Sequence, residues 1–301
     1  MPHGLVEKRP IRSILDCYYH NRYQEVSLKF LLFLSISLFF VNTVEAQCNS
    51  SLNDVNVQGV CTKIKTYKSG EITKTPVLVV ALHGDSPFNN PSYQYEFANQ
   101  IALHSINTVS VGMLRPGYTD HLKRTSDGIR GETVGDNYDE SRIHQIAKAI
   151  QKLKEYHNSE KVILAGHSGG SAITAKLIAL YPRLINHAFI VSCPCNIPQW
   201  RADMYKSSHY EGFKKSLVTI SPIEMIDNVA NDIGITLFVG KDDKVTRPYL
   251  SNEYFIALKK AGKKVDYHVI DGDHRLFLNQ TVLNSVVDVV SGYNKPSQPD
   301  L

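Results

Sequence analysis

The chain has 301 residues, 43% of them hydrophobic and 21% charged, enough to bury one large core or two modest ones and too apolar for disorder on a large scale. Its formal charge of +4 arises from 33 basic and 29 acidic residues spread along the chain without long runs of either sign. No stripe of Lys and Arg of the kind a phosphate backbone needs is present, which argues against a nucleic-acid partner.

The first pronounced feature is Phe30 to Val41, an almost wholly apolar run with Lys29 ahead of it. It is too short to span a bilayer. Val44 and Ala46 are small residues at the spacing a signal peptidase reads, so residues 1–46 are expected to be a leader with a secretory signal peptide, cleaved after Ala46. Residues 1–25 are mixed and polar, unlike a short basic leader, and a start at Val26 would make that leader compact. The expected mature protein, residues 47–301, is secreted or periplasmic, with no stable membrane insertion after cleavage. It keeps Cys48, Cys61, Cys193 and Cys195, an even number that fits an oxidising compartment. Four cysteines allow three pairings; Cys48 with Cys61 is favoured, leaving Cys193 and Cys195 as a tight bridge or a thiol pair. No His or Cys pair at zinc-ligand spacing accompanies them, so no metal is expected.

From there strands and helices alternate. Val77 to Leu82 reads as a buried strand, Tyr93 to His104 as a helix and Asn107 to Gly112 as a strand. A long Gly-rich loop from Arg115 to Asn137 follows, a length more often functional than filler. Asp139 to His157 carries Ile143, Ile146, Ala147, Ile150 and Leu153 on one helical face. Next come a strand (Lys161 to Ala165), a helix (Gly169 to Tyr181), a strand (His187 to Ser192), a strand (Ile233 to Val239), a helix (Tyr249 to Ala261), a strand (Val265 to Ile270) and a closing helix (Leu276 to Val290). The fold class expected is α/β, a mostly parallel central sheet with helices on both faces. Residues 193–229 break the rhythm and read as a small cap insertion over the C-terminal edge of the sheet, where open α/β sheets place their ligands.

Gly166-His167-Ser168-Gly169-Gly170 lies between an apolar strand and an apolar helix, which turns a weak G-x-S-x-G match into a nucleophile candidate. A serine hydroxyl needs a base to take its proton, and the base needs a carboxylate to fix its tautomer. Both are expected downstream, each just past a strand. His274 alone among the histidines follows the last strand, and Asp243, with Asp242 as the alternative, follows the one before. Asp273 is the alternative cap for the closing helix. The expected oxyanion donors are the N–H groups of Gly169 and of Asp85, the latter after the His83-Gly84 turn. Arg115 is a candidate for a substrate carboxylate, or else a solvated surface arginine. Trp200 and Tyr205 are candidates for an apolar acyl pocket, or else packing within the cap.

Ser168, Asp243, His274 and the His83-Gly84 turn together resemble the α/β-hydrolase superfamily, and its prolyl-oligopeptidase and dienelactone-hydrolase relatives. Arg115-Pro116-Gly117-Tyr118-Thr119-Asp120, Gly135-Asp136-Asn137-Tyr138 and Ser192-Cys193-Pro194-Cys195 resemble a group of secreted bacterial members. The resemblance implies acyl-enzyme chemistry on a small-molecule or peptide acyl substrate, without a cofactor. The propeller domain of the large oligopeptidases has no counterpart in this sequence. The expected activity is a serine hydrolase cleaving a carboxylic ester or amide. Its rivals are a serine peptidase of prolyl-oligopeptidase type, an acyltransferase that excludes water, and a secreted non-catalytic binding protein on the same fold.

Overall fold

The computed structural model describes residues 48, 52–86, 89–131, 138–217 and 219–295. The expected leader, its cleavage site and the Gly135-Asp136-Asn137 string lie outside the described residues. Among the described residues no helix is long and apolar enough to cross a membrane.

Eight strands form one sheet: β1 (Asp54–Val57), β2 (Val60–Lys68), β3 (Val77–Leu82), β4 (Thr108–Met113), β5 (Val162–His167), β6 (His187–Val191), β7 (Gly234–Gly240) and β8 (Val265–Ile270). Their order across the sheet is β1-β2-β4-β3-β5-β6-β7-β8. All neighbours from β4 to β8 pair in parallel, while β1 with β2 and β2 with β4 are antiparallel. Every residue of β3, β4 and β5 is buried, as expected of strands covered on both faces.

Among the described residues five helices do the covering, α1 (Tyr93–His104), α2 (Glu140–Tyr156), α3 (Gly169–Leu180), α5 (Pro248–Lys260) and α6 (Gln280–Asn294), while α4 (Ile197–Ser208) lies in the insertion. Side chains alternate along each strand, so the sheet has two distinct cores. Leu78, Val80 and Leu82 face the apolar sides of α2, α3 and α5. Val77, Val79 and Ala81 face Phe97 and Ile101 of α1 and Val282, Val286 and Val290 of α6. The mostly parallel sheet with helices on both faces is therefore the observed architecture.

The β1–β2 hairpin has no counterpart in the sequence expectation. Its register pairs Val57 with Val60, leaving Gln58 and Gly59 as a two-residue loop with φ of 53° and 86°. Such turns are signalled by Asn-Gly or Asp-Gly, and Gln-Gly is a weaker mark. The disulfide Cys48–Cys61 fastens the start of the domain to β2, the favoured pairing, and Cys193 is bridged to Cys195 just past β6. The closing helix begins at Gln280, not Leu276. Leu276 and Phe277 are spent as core side chains beneath β8, and Asn279 caps the helix by accepting the N–H of Thr281. Asp273 is thereby displaced as the cap; it pairs with Arg275.

Residues 193–229 hold α4 and two 3₁₀ turns, Glu211–Lys214 and Pro222–Asn228. The strand order reverses between β3 and β5, and their C-terminal ends frame the crevice in which such sheets place ligands.

Burial pushes the imidazole of His157 down to about 4, with Lys68 adding repulsion, and burial does the same to His187. Unfolded imidazoles take up a proton below about pH 6.5, whereas these folded ones do not until about pH 4. The stability they contribute is complete above about pH 6.5 and is lost as pH falls towards about 4. The thermal midpoint is expected to decline across that window, before most carboxylates titrate. A midpoint flat from about pH 7 to 4.5 would contradict the assignment of both rings as neutral.

Candidate active site

Ser168 sits between the last residue of β5 and the first of α3 with φ 52° and ψ −121°, a backbone conformation L-residues rarely adopt. Its backbone N–H donates to Val191 O at 2.9 Å, tying the turn to the end of β6. Serine at a helix start ordinarily caps the helix through its side chain, but here it makes no such bond. The hydroxyl is thus left unengaged by the helix it begins.

Three glycines make this turn sterically feasible. A Cβ on Gly166 would strike the Gly170 carbonyl, and one on Gly170 would stand 2.5 Å from His83 O. One on Gly84 would stand 2.8 Å from Ser168 Cβ. The end of β3, the end of β5 and the first turn of α3 therefore meet backbone to backbone.

Asp243 follows β7 and is 3% exposed. Its Oδ1 accepts the N–H groups of Val245 and Thr246 at 2.9 and 2.8 Å, and its Oδ2 accepts Thr246 Oγ1 at 2.8 Å. The same Oδ2 faces His274 Nδ1 at 2.9 Å. Burial alone would raise the Asp243 carboxyl, but the His274 imidazole and the Thr246 donors outweigh it and hold the group below the ordinary carboxylate range. An ionised Asp243 requires the proton of neutral His274 on Nδ1, leaving Nε2 with its lone pair. Asp242, by contrast, is exposed.

Ser168 Oγ and the His274 ring are not hydrogen-bonded in this structure. The residue before the serine does reach the His274 loop: His167 Nε2 lies 2.8 Å from the His274 carbonyl, with ring centroids 4.9 Å apart. Catalytic hydrogen bonds are often long in ligand-free sites and tighten around substrate. Asp243 and His274 are thus in contact, and Ser168 is one residue removed from that contact.

Among the described residues, the backbone N–H of Asp85 has no hydrogen-bond acceptor. The N–H of Gly169, in the first turn of α3, belongs to the donors a helix cannot satisfy internally. The Asp85 side chain lies against Gly169 and is held from two sides, by the charge of Arg115 with Nη1 at 3.0 Å and by a hydrogen bond from the Tyr138 hydroxyl at 2.5 Å. Burial, with the carboxylate beside it, raises the Tyr138 phenol far above its ordinary range and keeps it a donor.

This geometry corrects the surface reading of Arg115. It is 1% exposed, so it is not a solvated surface arginine; its Nη1 donates to Asp85 and to His83 O at 3.0 and 3.2 Å, while Nε and Nη2 are buried without a hydrogen-bond partner among the described residues. Burial would lower its basicity, yet Tyr118, Asp85 and Tyr138 raise it above its ordinary value. Its place is that of a counter-ion inside the wall of the site. For Trp200 the packing alternative is the one observed: it is 3% exposed, packs on Phe213 and Leu250, and its indole N–H donates to Val245 O at 3.0 Å. It buttresses the loop that carries Asp243. A cavity of about 460 Å³ does lie in the insertion, lined by Ile197, Tyr205, Phe213 and Leu217 among others, but not by Trp200.

Sequence reasoning missed Thr246, Tyr138 and Tyr93. Thr246 stands three residues past Asp243, a spacing that allows its hydroxyl to return to the carboxylate. Tyr138 ends the Gly-rich loop, and nothing local marks Tyr93 beyond its place at a helix start.

The profile of a family described as serine aminopeptidase, S33, matches residues 125–222, a stretch that contains Ser168 but neither Asp243 nor His274. No curated protein matches by sequence. Among solved structures, an esterase of Pyrococcus furiosus superposes with a TM-score of 0.56 at 16% identity, over 80% of this chain and 88% of that one. An acylaminoacyl peptidase of Pyrococcus horikoshii gives 0.58 at 13% identity, over 82% of this chain and 42% of that one. The thioesterase domain of a curacin biosynthetic pathway gives 0.52 at 13% identity, over 79% and 98%. Identities this low establish a shared fold.

The contact between Gly84 and Ser168 is directly testable. Gly84→Ala must displace the elbow or the turn, at an expected cost of about 1–3 kcal/mol. A urea midpoint equal to that of the parent protein would show that the two backbones are not closely packed.

Proposed function

Starting from a fold shared with solved esterases and peptidases, we propose that this chain is a serine hydrolase of the α/β-hydrolase superfamily, cleaving a carboxylic ester or amide through an acyl-enzyme on Ser168. The supporting observation is the pair of buried Asp243 and half-buried His274, 2.9 Å apart, beside a serine held at φ 52°. His274 Nε2 takes the Ser168 proton as Oγ attacks the substrate carbonyl, and Asp243 stabilises the imidazolium that forms. The N–H groups of Gly169 and Asp85 receive the oxyanion. His274 returns the proton to the departing alcohol or amine. Water, deprotonated by the same ring, then attacks the acyl carbon and frees Ser168. The residues needed are all supplied by the chain, and residues 193–229 act as the cap.

The work of Asp85 has two parts in this reading. Its backbone serves the oxyanion, while its carboxylate would oppose that charge if left bare. The Arg115 cation offsets it and Tyr138 donates a hydrogen bond to it, which gives the buried arginine a role in catalysis without substrate contact.

The leader expectation extends the proposal to export, with cleavage after Ala46. Two disulfides within the described residues are consistent with an oxidising destination. A second reading, a peptidase using the same three residues, is favoured by the serine aminopeptidase match over residues 125–222.

A fluorophosphonate probe is expected to label the peptide containing Ser168, and Ser168→Ala to abolish that labelling. Folded protein that takes up no label would leave the non-catalytic binding reading in force. Asp243→Asn is expected to lower turnover of a short acyl ester by about 10³- to 10⁴-fold through loss of the correct His274 tautomer. Comparing that ester with a peptide amide separates the esterase from the peptidase, and product analysis with an added alcohol separates both from an acyltransferase.

A further inference from the structure

Three loops bring the reacting groups together: residues 83–85 after β3, Ser168 after β5 and His274 after β8. The hydrogen bonds that join these loops run through two side chains the proposed chemistry does not consume. Gly84 N–H donates to Tyr93 Oη at 2.5 Å, Tyr93 Oη lies 2.9 Å from His167 Nδ1, and His167 Nε2 lies 2.8 Å from the His274 carbonyl. The Tyr93 ring packs edge-on against both His167 and Phe277.

The proton positions along this chain are forced. A carbonyl only accepts, so His167 Nε2 carries the hydrogen that reaches His274 O. Nδ1 of the neutral ring is then bare and accepts from Tyr93 O–H, whose oxygen in turn accepts from Gly84. Burial, with repulsion from His274, pushes the His167 imidazole down to about 3, so the ring stays neutral at any working pH. One direction of donation therefore runs through the relay: Gly84 to Tyr93, Tyr93 to His167, His167 to the His274 backbone.

We propose that Tyr93 and His167 are positioning residues that lock the oxyanion turn and the backbone of the general base to the nucleophile elbow, as one hydrogen-bonded unit. The inference rests on the serine-hydrolase reading above. Neither side chain touches the reacting atoms. Tyr93 holds the His83–Gly84 peptide, from which the Gly84–Asp85 peptide and its N–H continue, with the Gly84 carbonyl steadied by His83 Nδ1 at 2.7 Å, and the His274 backbone sets where Nε2 points. The phenol and the imidazole thus anchor the peptide next to the oxyanion donor and the backbone of the base. Displacements of about 1 Å at such positions cost up to about 100-fold in rate.

Tyr93→Phe removes one oxygen and leaves the ring packing. It is expected to lower kcat on a short-chain nitrophenyl ester by about 10- to 100-fold with KM little changed, and to slow fluorophosphonate labelling in step. His167→Gln keeps an amide donor for the His274 carbonyl and is expected to retain more activity than His167→Ala. In a double-mutant cycle, Tyr93→Phe should cost less on the His167→Ala background than in the parent protein, because the link from the phenol to the His274 backbone is already cut. Nitrogen NMR of His167 should show a neutral ring protonated at Nε2, with the Nδ1 resonance moving in Tyr93→Phe. Parental kcat in folded Tyr93→Phe, a loss carried by KM, strict additivity, or a His167 ring protonated at Nδ1 would each overturn the relay. If Ser168→Ala leaves turnover intact, the serine-hydrolase reading has failed instead, while the nitrogen resonances still decide whether the relay exists.

Discussion

The close approach of backbones at the crevice governs the rest of the structure. Gly166, Gly170 and Gly84 let the ends of β3 and β5 and the start of α3 touch without side chains between them. That contact holds Ser168 at positive φ and turns its hydroxyl away from the helix it would otherwise cap. A conformation that is costly for an isolated residue is imposed by the packing of two strands and a helix, which places the strain where the surrounding structure over-determines it. The rigidity of the completely buried strands β3 and β5 is what makes the imposition possible.

Electrostatics around the crevice follow one pattern: each buried charge is answered by groups that fix its direction as well as its sign. Asp243 is ionised in a buried place because four donors converge on two oxygens, and this directs His274 Nδ1 inward and Nε2 outward. Asp85 is answered by Arg115 and Tyr138. His83 goes the other way. Burial and the Arg115 charge hold its imidazole neutral, so Nε2 accepts the Arg115 N–H at 3.0 Å while Nδ1 faces the Gly84 carbonyl at 2.7 Å. A carboxylate, a guanidinium, a phenol and a neutral imidazole share one wall without leaving an unanswered charge on the turn that carries the Asp85 N–H.

Much of this was legible in the residues. Continuous apolar runs marked β3, β5 and β7, and helix periodicity marked α2 to within a residue or two, because burial on both faces or on one stripe leaves its period in the sequence. The approximate places of Ser168, Asp243 and His274 followed from glycines and polar residues just beyond apolar strands. The β1–β2 hairpin was not legible: β2 is rich in lysine and threonine, and its turn is Gln-Gly. Leu276 and Phe277 fitted a helical stripe, yet they serve as plugs in the opposite core. The burial of Arg115 and the bond from Trp200 to the Asp243 loop were not legible, for a common reason. Their partners, Asp85 and Val245, lie 30 and 45 residues away in sequence and are met only after folding. The same holds for Tyr93, 74 residues from His167. Local pattern reports which face is buried and carries no record of which polar atoms are waiting there.

The bridge from Cys48 to Cys61 makes part of the architecture conditional on chemistry outside the polypeptide. Where a thiol buffer supplies electrons, both sulfurs stay reduced, and β2 keeps its station through non-covalent contacts alone, its pairing with β1 and β4 and its bonds to residues 124–127. Where electrons are withdrawn, the same sequence gains a covalent staple on the first strand pair. One chain thus has two degrees of stiffness at that margin of the sheet, selected by the redox poise of its surroundings.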